Sequence, residues 1–433
     1  MEADKKIRVA ILGSGTVGTG VYKIIQNQKE EFPHKIGSEL EVAKILVRNI
    51  NKQREGIPSE ILTDKWSDII NDDDISIIIE VMGGIEPAKT YISEALTKGK
   101  NVVTANKDLM AEYGHELLDI AAEHNCDLLF EAAVAGGIPI IRPIKQCLAA
   151  NKITEIMGII NGTTNFILTK MTEEGMEFED ALKLATELGY AEADPTADIE
   201  GLDAGRKIAI LASIAFNSRV SFSDVYTEGI SKITAKDIKY AKELGCVIKL
   251  IATAKNTETG IEVRVTPMFI PVSHPLASVN DSFNAVFVHG DALGDAMFYG
   301  RGAGELPTAS AVMGDVIDVC RNTVYNCNGR IGCTCYKNIP IKSMDNIESK
   351  YFVSTLLENK SGTLGAVANT FAGNNASIDQ MVQKNKIGNN AEVLFIIDNV
   401  KEKLFLRSIK ELSAMHYVKE ISSIIRVHND IIQ

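Results

Sequence analysis

Long hydrophobic runs are missing from this chain: its apolar stretches are broken by Gly13, Glu131 or a lysine, well short of the ~20 residues that cross a bilayer. No membrane segment is expected. The opening Met-Glu-Ala-Asp-Lys-Lys leads straight into a short apolar strand. It has neither a long apolar leader nor a small-residue cleavage site, so a cytoplasmic location is expected. Runs of basic residues are missing too, and with a net charge of -12 the long-range field repels a phosphate backbone. Nucleic acid is not an expected partner. Cysteine is sparse and odd in number, seven in all, and Cys126, Cys147 and Cys246 stand alone in segments that read as folded, which suits reduced thiols. Cys320, Cys327, Cys333 and Cys335 lie closer together and four thiols can hold zinc. Cys-x-Cys lacks the usual two-residue gap, however, and no second knuckle follows, which favours a linker with incidental thiols.

What is present is an ordinary globular composition, 45% hydrophobic and 24% charged over 433 residues, long enough for roughly three domains. Ile7 to Leu12 is an apolar run ending in Gly13-Ser-Gly15-Thr-Val-Gly18, with a helical segment from Val17 to Gln28. In that context Gly13 permits the tight turn, Gly15 lets backbone amides reach a pyrophosphate and Gly18 allows close helix packing. The alternative is a glycine loop kept for packing. A second strand, Leu40 to Val47, ends at Arg48, where an NAD-specific fold usually carries an acid. Arg48, Lys52 and Arg54 offer positive charge suited to the 2′-phosphate of NADP, or form a solvated basic loop. Strands at Ile75 to Met82 and Asn101 to Thr104 alternate with helical stretches such as Pro87 to Lys98. This pattern indicates a doubly wound parallel sheet of Rossmann type, an α/β class.

After Glu131 the pattern changes. A helix is expected from Ile140 to Ala150, strands at Ile153 to Ile160, Gly260 to Pro271 and Ala285 to His289, and a helix from Thr308 to Cys320 returning to the nucleotide domain. The expected domains are therefore 1–139 with 305–325, a mixed α+β catalytic and dimerisation domain at 140–304, a linker at 326–349 and a compact unit at 350–433. In the last, Tyr351 to Leu357, Thr363 to Ala372, Ser377 to Gln383, Ala391 to Ile397, Lys401 to Met415 and Val418 to Val427 spell βαββαβ, a ferredoxin-like sandwich.

Glu192, Asp194, Asp198, Asp203 and Lys207 fall within sixteen residues. Lys207 opens the apolar run Ile208 to Phe216, so Asp203 and Lys207 share one helix face four residues apart. An ammonium beside carboxylates can move a proton and further carboxylates can grip a cationic substrate group. A helix start favoured by its dipole reads equally well.

Taken together, Gly13-x-Gly-x-x-Gly18, Thr104-Ala-Asn-Lys107, Glu131-Ala-Ala-Val134-Ala-Gly136-Gly-Ile138-Pro, Asn161-Gly-Thr-Thr-Asn-Phe, the acidic cluster and Gly302-Ala-Gly304 with Pro307-Thr-Ala resemble homoserine dehydrogenase over nearly the whole chain. The form resembled is the monofunctional kind with a C-terminal ACT domain; no kinase-like region precedes Gly13. The resemblance implies NAD(P)-dependent interconversion of L-homoserine and L-aspartate 4-semialdehyde, in threonine, methionine and isoleucine biosynthesis. It implies Lys207 as proton carrier and Lys107 as the lysine beside the nicotinamide. Glu192, Asp203, Asp198 and Gly189 form the substrate network, while Asp194, before Pro195, reads as a turn former. The implied cofactor set is Gly13, Gly15, Thr16, Val17, Gly18, Arg48, Gly83, Lys107, Gly302 and Gly304. The Glu131 carboxylate with the carbonyls of Val134, Gly136 and Ile138 resembles a monovalent cation site, most naturally for sodium. The resemblance also implies a homodimer or homotetramer and threonine at the ACT unit. Its loop, however, reads Glu358-Asn-Lys-Ser-Gly362, where ACT domains often carry Asp-x-Pro-Gly. Competing readings are a dehydrogenase of another amino-acid semialdehyde and a catalytically silent amino-acid sensor.

Overall fold

The computed structural model describes residues 6–429. Six parallel strands form one sheet, in the order Leu62–Thr63, Leu40–Leu46, Ile7–Leu12, Ile75–Glu80, Asn101–Thr104 and Leu128–Leu129. Their sequence pattern explains the arrangement. Ile7–Leu12 and Ile75–Glu80 are near-continuous apolar runs that are almost wholly buried, as strands covered on both faces must be. The order reverses between those two strands, which opens a crevice at their carboxyl ends. One face is covered by the Thr16–Asn27 helix, and the Glu305–Val324 helix packs on it. A Cβ added at Gly20 would lie 2.8 Å from the Glu305 carbonyl oxygen, and the Lys23 ammonium meets Glu305 at 2.6 Å. Val9, Ile11, Val21, Ile77, Val312 and Val316 lie in the core between them.

The chain divides into two compact units, and their bounds differ from the expected domains. The first holds 1–162, 203–225 and 282–339; the second holds 163–202, 226–281 and 340–433. The expected 140–304 domain is therefore split. Ile153–Ile159, Phe283–Gly290 and Gly294–Arg301 pair antiparallel within the first unit. In the second, the Cys246–Thr257 and Gly260–Pro271 hairpin joins the C-terminal segment because Met268 and Phe269 pair with Arg426 and Val427. The last 80 or so residues are thus no separate body: backbone pairing carries the sheet through them. From there the strand order runs Val418–Val427, Glu348–Glu358, Asn390–Lys401, Ile378–Ile387, all antiparallel. The Thr363–Gly373 and Glu402–Ser413 helices pack on this sheet over Val353, Phe371, Phe395 and Phe405.

Two long strands, Cys246–Thr257 and Gly294–Arg301, and three two-residue ones, Leu62–Thr63, Leu128–Leu129 and Tyr226–Thr227, are absent from the sequence reading, and one helix is shorter than read. In place of Ile140 to Ala150 there is a single wide turn, Pro143–Cys147. Pro143 brings no N–H to a helical ladder, and the amides of Ile140, Ile141 and Arg142 are all taken by the Glu131 carboxylate. Among the described residues no helix is long and apolar enough to cross a membrane. None of them forms a group of three or more His, Cys, Asp or Glu suited to a metal ion, and the four late cysteines do not converge on one.

Candidate functional site

At the sheet's carboxyl edge the glycine turn has the shape its residue types require. Gly13 has φ +106°, open to glycine at little cost, and a Cβ on Gly18 would lie 2.1 Å from the Gly13 carbonyl oxygen. Above Gly15 a Cβ would meet nothing within 4 Å, and the helix that begins at Thr16 and Val17 has no side-chain cap at Gly15. Uncapped amides facing open space at a helix start suit an anionic pyrophosphate. The residues therefore fit a dinucleotide. Arg54 Nε donates to Ser14 Oγ at 2.5 Å inside this turn, while Arg48 is exposed just beyond the second strand.

Next to it, buried Glu80 organises the following loop. Its carboxylate accepts from the amides of Met82 and Gly83 at 2.8 and 3.1 Å and from Thr104 Oγ1 at 2.6 Å, and burial raises its pKa despite those donors. Gly83 itself has φ +73°. The Thr104-Ala-Asn-Lys107 motif then has a physical account. Thr104 ties the strand end to Glu80, Asn106 caps the next helix by accepting from Leu109 N at 3.1 Å, and Lys107 becomes the first helical residue.

Lys107 and Lys207 converge on one carboxylate. Asp203 Oδ1 lies 2.6 Å from Lys107 Nζ and Asp203 Oδ2 lies 2.7 Å from Lys207 Nζ. Asn161 Nδ2 donates to Asp203 Oδ2 at 2.9 Å, and Lys207 Nζ also donates to the Ile160 carbonyl at 2.8 Å. Burial opposes ionisation of Asp203, but the Lys207 and Lys107 ammoniums outweigh it and hold the carboxyl well below the usual carboxylate range. The Asp203 side chain is 6% exposed, Lys207 12% and Lys107 37%. Two cations thus sit on one shielded anion, with Lys107 the more open to a substrate.

Gly302 and Gly304 form a second glycine turn in this unit. Gly304 has φ +124°, and a Cβ on Gly136 would come within 2.2 Å of the Gly302 carbonyl oxygen. This close approach locks the Val134-to-Ile138 loop against the Gly302 turn. The Glu131 carboxylate closes that loop at its base: the amides of Ile140, Ile141 and Arg142 already occupy it, leaving room for about one further partner. The carbonyl oxygens of Val134, Gly136 and Ile138 accept no backbone hydrogen bond among the described residues. That donor set suits a hard cation held by carbonyls, with the carboxylate bracing the loop. Beneath it Asp315 accepts from Glu131 N at 2.7 Å and pairs with Arg142. Burial pushes Asp315 up to about 7 against the Arg142 guanidinium. Nothing in its helical surroundings in the sequence marks Asp315, or the buried Glu80, as more than an interruption of an apolar pattern.

Gly189, Glu192, Asp194 and Asp198 belong to the second unit. Gly189 has φ +77° and ends the Phe178–Glu187 helix, and the segment after it is tied down where Thr163 Oγ1 donates to the Tyr190 carbonyl at 2.7 Å. Glu192 is exposed and Asp198 half-buried. Asp194 accepts from Thr196 N at 3.1 Å, the geometry of a turn-forming aspartate. Sequence reasoning missed Lys249, buried in the same unit, whose ammonium donates to the Val279 carbonyl at 2.6 Å, Asn280 Oδ1 at 3.0 Å and Asn165 Oδ1 at 3.1 Å.

A glycine turn at the switch point of a 3-2-1-4-5-6 parallel sheet, with a lysine pair sharing a buried carboxylate in the same unit, defines a nicotinamide-dependent oxidoreductase. Comparison with known proteins makes this specific. Residues 13–131 match the family model for the NAD-binding domain of homoserine dehydrogenase, and residues 139–317 match that for homoserine dehydrogenase itself. The homoserine dehydrogenase of Bacillus subtilis (strain 168) is 44% identical over 431 residues, covering 98% of this chain and 99% of the relative. That of Corynebacterium glutamicum is 46% identical over 430 residues, covering 98% and 96%. The crystal structure of a homoserine dehydrogenase from Thiobacillus denitrificans superposes with a TM-score of 0.93 at 41% identity, covering 98% of both chains. A hyperthermophilic archaeal homoserine dehydrogenase in complex with NADPH matches with a TM-score of 0.62 at 28% identity, over 72% of this chain and 97% of that one. The chain belongs to the homoserine dehydrogenase family and is an NAD(P)-dependent oxidoreductase acting on a CH–OH group.

Proposed function

We propose that the chain interconverts L-homoserine and L-aspartate 4-semialdehyde, with Lys207 moving the proton. The observation that carries this is the shared carboxylate: Asp203 lies 2.6 Å from Lys107 Nζ and 2.7 Å from Lys207 Nζ. When bound, the nicotinamide supplies or accepts the hydride. In the reducing direction the aldehyde oxygen becomes an alkoxide, and the Lys207 ammonium donates to it as charge develops. Lys107, at the amino end of its helix, polarises and orients that oxygen. Asp203 keeps both ammoniums in place, and the Ile160 carbonyl fixes Lys207 further. In the oxidising direction Lys207 takes the hydroxyl proton.

Glu192, supported by Asp198, holds the substrate's ammonium in this reading, since an exposed carboxylate is the simplest partner for it. The cofactor set is Gly13, Gly15, Thr16, Val17, Gly18, Arg48, Gly83, Lys107, Gly302 and Gly304. NADP is preferred over NAD because Arg54 and Arg48 supply cations where an acid would otherwise receive ribose hydroxyls. A sodium ion would be held by the Glu131 carboxylate and the carbonyls of Val134, Gly136 and Ile138, which would fix the Gly302 turn. The C-terminal βαββαβ segment is an ACT unit; its loop carries Asn359 in place of the acid, and L-threonine is its candidate ligand. The active form is a homodimer or homotetramer, working in threonine, methionine and isoleucine synthesis.

The test is purified protein with homoserine and either NAD or NADP, followed at the nicotinamide absorbance band. Reduction of NADP in preference to NAD is expected. No signal with either cofactor overturns the activity.

A further inference from the structure

The segment from Gly332 to Tyr336 belongs to the first unit and is not used by the proposed reaction. It carries Cys333 and Cys335, both free and half-buried. Two residues span at most about 7 Å of chain, close to the 4.4–6.8 Å that disulfides bridge between Cα atoms. The Cys333 sulfur already lies against the second cysteine: Cys335 N donates to it at 3.5 Å. The Cys333 sulfur therefore folds back onto the backbone of Cys335, which sits at the centre of a turn where Tyr336 N donates to the Thr334 carbonyl at 3.0 Å.

The surroundings favour a thiolate at Cys333. Lys145 Nζ donates to the Gly332 carbonyl at 3.0 Å, and Lys145 and Arg219 both act electrostatically on the two thiols. Cys333 is held down at about 6, by the neighbouring Cys335 first and by these cations in addition, against its burial. Cys335 is pushed up by the sulfur beside it. The first thiol is thus the nucleophile and the second the resolving partner. By contrast, burial pushes Cys126 and Cys246 up to about 11, which leaves them inert.

We propose that Cys333 and Cys335 form a redox-active dithiol that closes to an intrachain disulfide by exchange with a low-molecular-weight disulfide. The Cys333 thiolate attacks one sulfur of RSSR, forming a mixed disulfide and expelling RS⁻. The Cys335 thiol, passing its proton to solvent, then attacks the Cys333 sulfur and expels the second RS⁻. Both leaving thiolates are protonated, so two protein thiols are oxidised while one RSSR is reduced to two RSH. Closure also ends the contact in which Cys335 Sγ donates to the Ser213 carbonyl at 3.4 Å. Ser213 lies on the helix that carries Asp203 and Lys207.

The experiment treats the full chain with oxidised glutathione, then alkylates with iodoacetamide and reads the peptides by mass. The expected wild-type result is a peptide lacking two hydrogens that holds both cysteines, restored by dithiothreitol. C335S should stop at one glutathione on Cys333, and K145M should slow alkylation of Cys333 several-fold near neutral pH. Three results would overturn the proposal: both thiols still fully alkylated after treatment, a stable glutathione adduct on Cys333 in the wild type, or no slowing in K145M.

Discussion

Lys207 and Lys249 are the same side chain put to opposite uses in the two units. Lys207 pairs with a carboxylate and a carbonyl, whereas Lys249 is 3% exposed and faces three neutral oxygens. Burial lowers Lys249 to about 8, with Glu173 and Asp281 only partly restoring it. Burial alone therefore does not make a proton carrier. Lys207 differs in sharing Asp203 with a second, more open lysine, which ties it to the place where a substrate oxygen would lie. Lys249 instead joins Asn165 on the Gly162–Glu174 helix to the turn at Val279 and Asn280, a structural tie made with neutral partners.

The contrast is broken most severely at Lys207. K207A should lower turnover by about 10²–10⁴-fold, the range of a lost general acid or base, while NADPH binding by calorimetry stays intact; preserved turnover sinks the assignment. Next comes D203N, which keeps a hydrogen-bonding oxygen but removes the anion. A loss of roughly 10-fold or more in kcat is expected, with little change in the cofactor KM. A wild-type kcat would mean that the lysines position themselves.

K249M acts on the other side of the comparison. Leaving buried oxygens unpaired should cost about 1–3 kcal/mol in urea unfolding, with turnover per folded molecule unchanged. The pH dependence separates this from simple packing. The folded chain holds Lys249 near 8, while the unfolded chain leaves it near ~10.4, so between these values the unfolded state binds more protons and stability rises with pH. K249M should flatten that rise, and a parallel curve would refute the neutral-nest account. The smallest effect is expected for R54A: an increase of roughly tenfold in the KM for NADPH with that for NADH little changed. Equal changes for both cofactors would assign Arg54 to the loop alone.

Much of the first unit is legible along the chain. The strands before Gly13 and through Thr104 are short apolar runs punctuated by glycine or a cap, and neighbouring residues encode those features. Asp203 and Lys207 are likewise readable, being one helical turn apart. The reach of Lys107 to Asp203 is not, because it depends on how distant segments pack. The Cys246–Thr257 strand was hidden for a different reason. Lys249 interrupts its apolar face, and its partner strand follows only after a two-residue turn. The turn at Pro143 escaped because a distant carboxylate, not local propensity, takes the amides there.

By itself the sequence determined the parallel nucleotide fold, the glycine turn, the βαββαβ order near the C-terminus and the family, since each rests on local pattern or on motifs at fixed spacing. Only the tertiary structure decided that one aspartate serves two lysines, that Glu131 braces a loop through three amides, and that the C-terminal strands continue the sheet of the Cys246–Thr257 and Gly260–Pro271 hairpin. Those outcomes depend on which buried polar groups find partners once the backbone is packed, and chain neighbours do not carry that information.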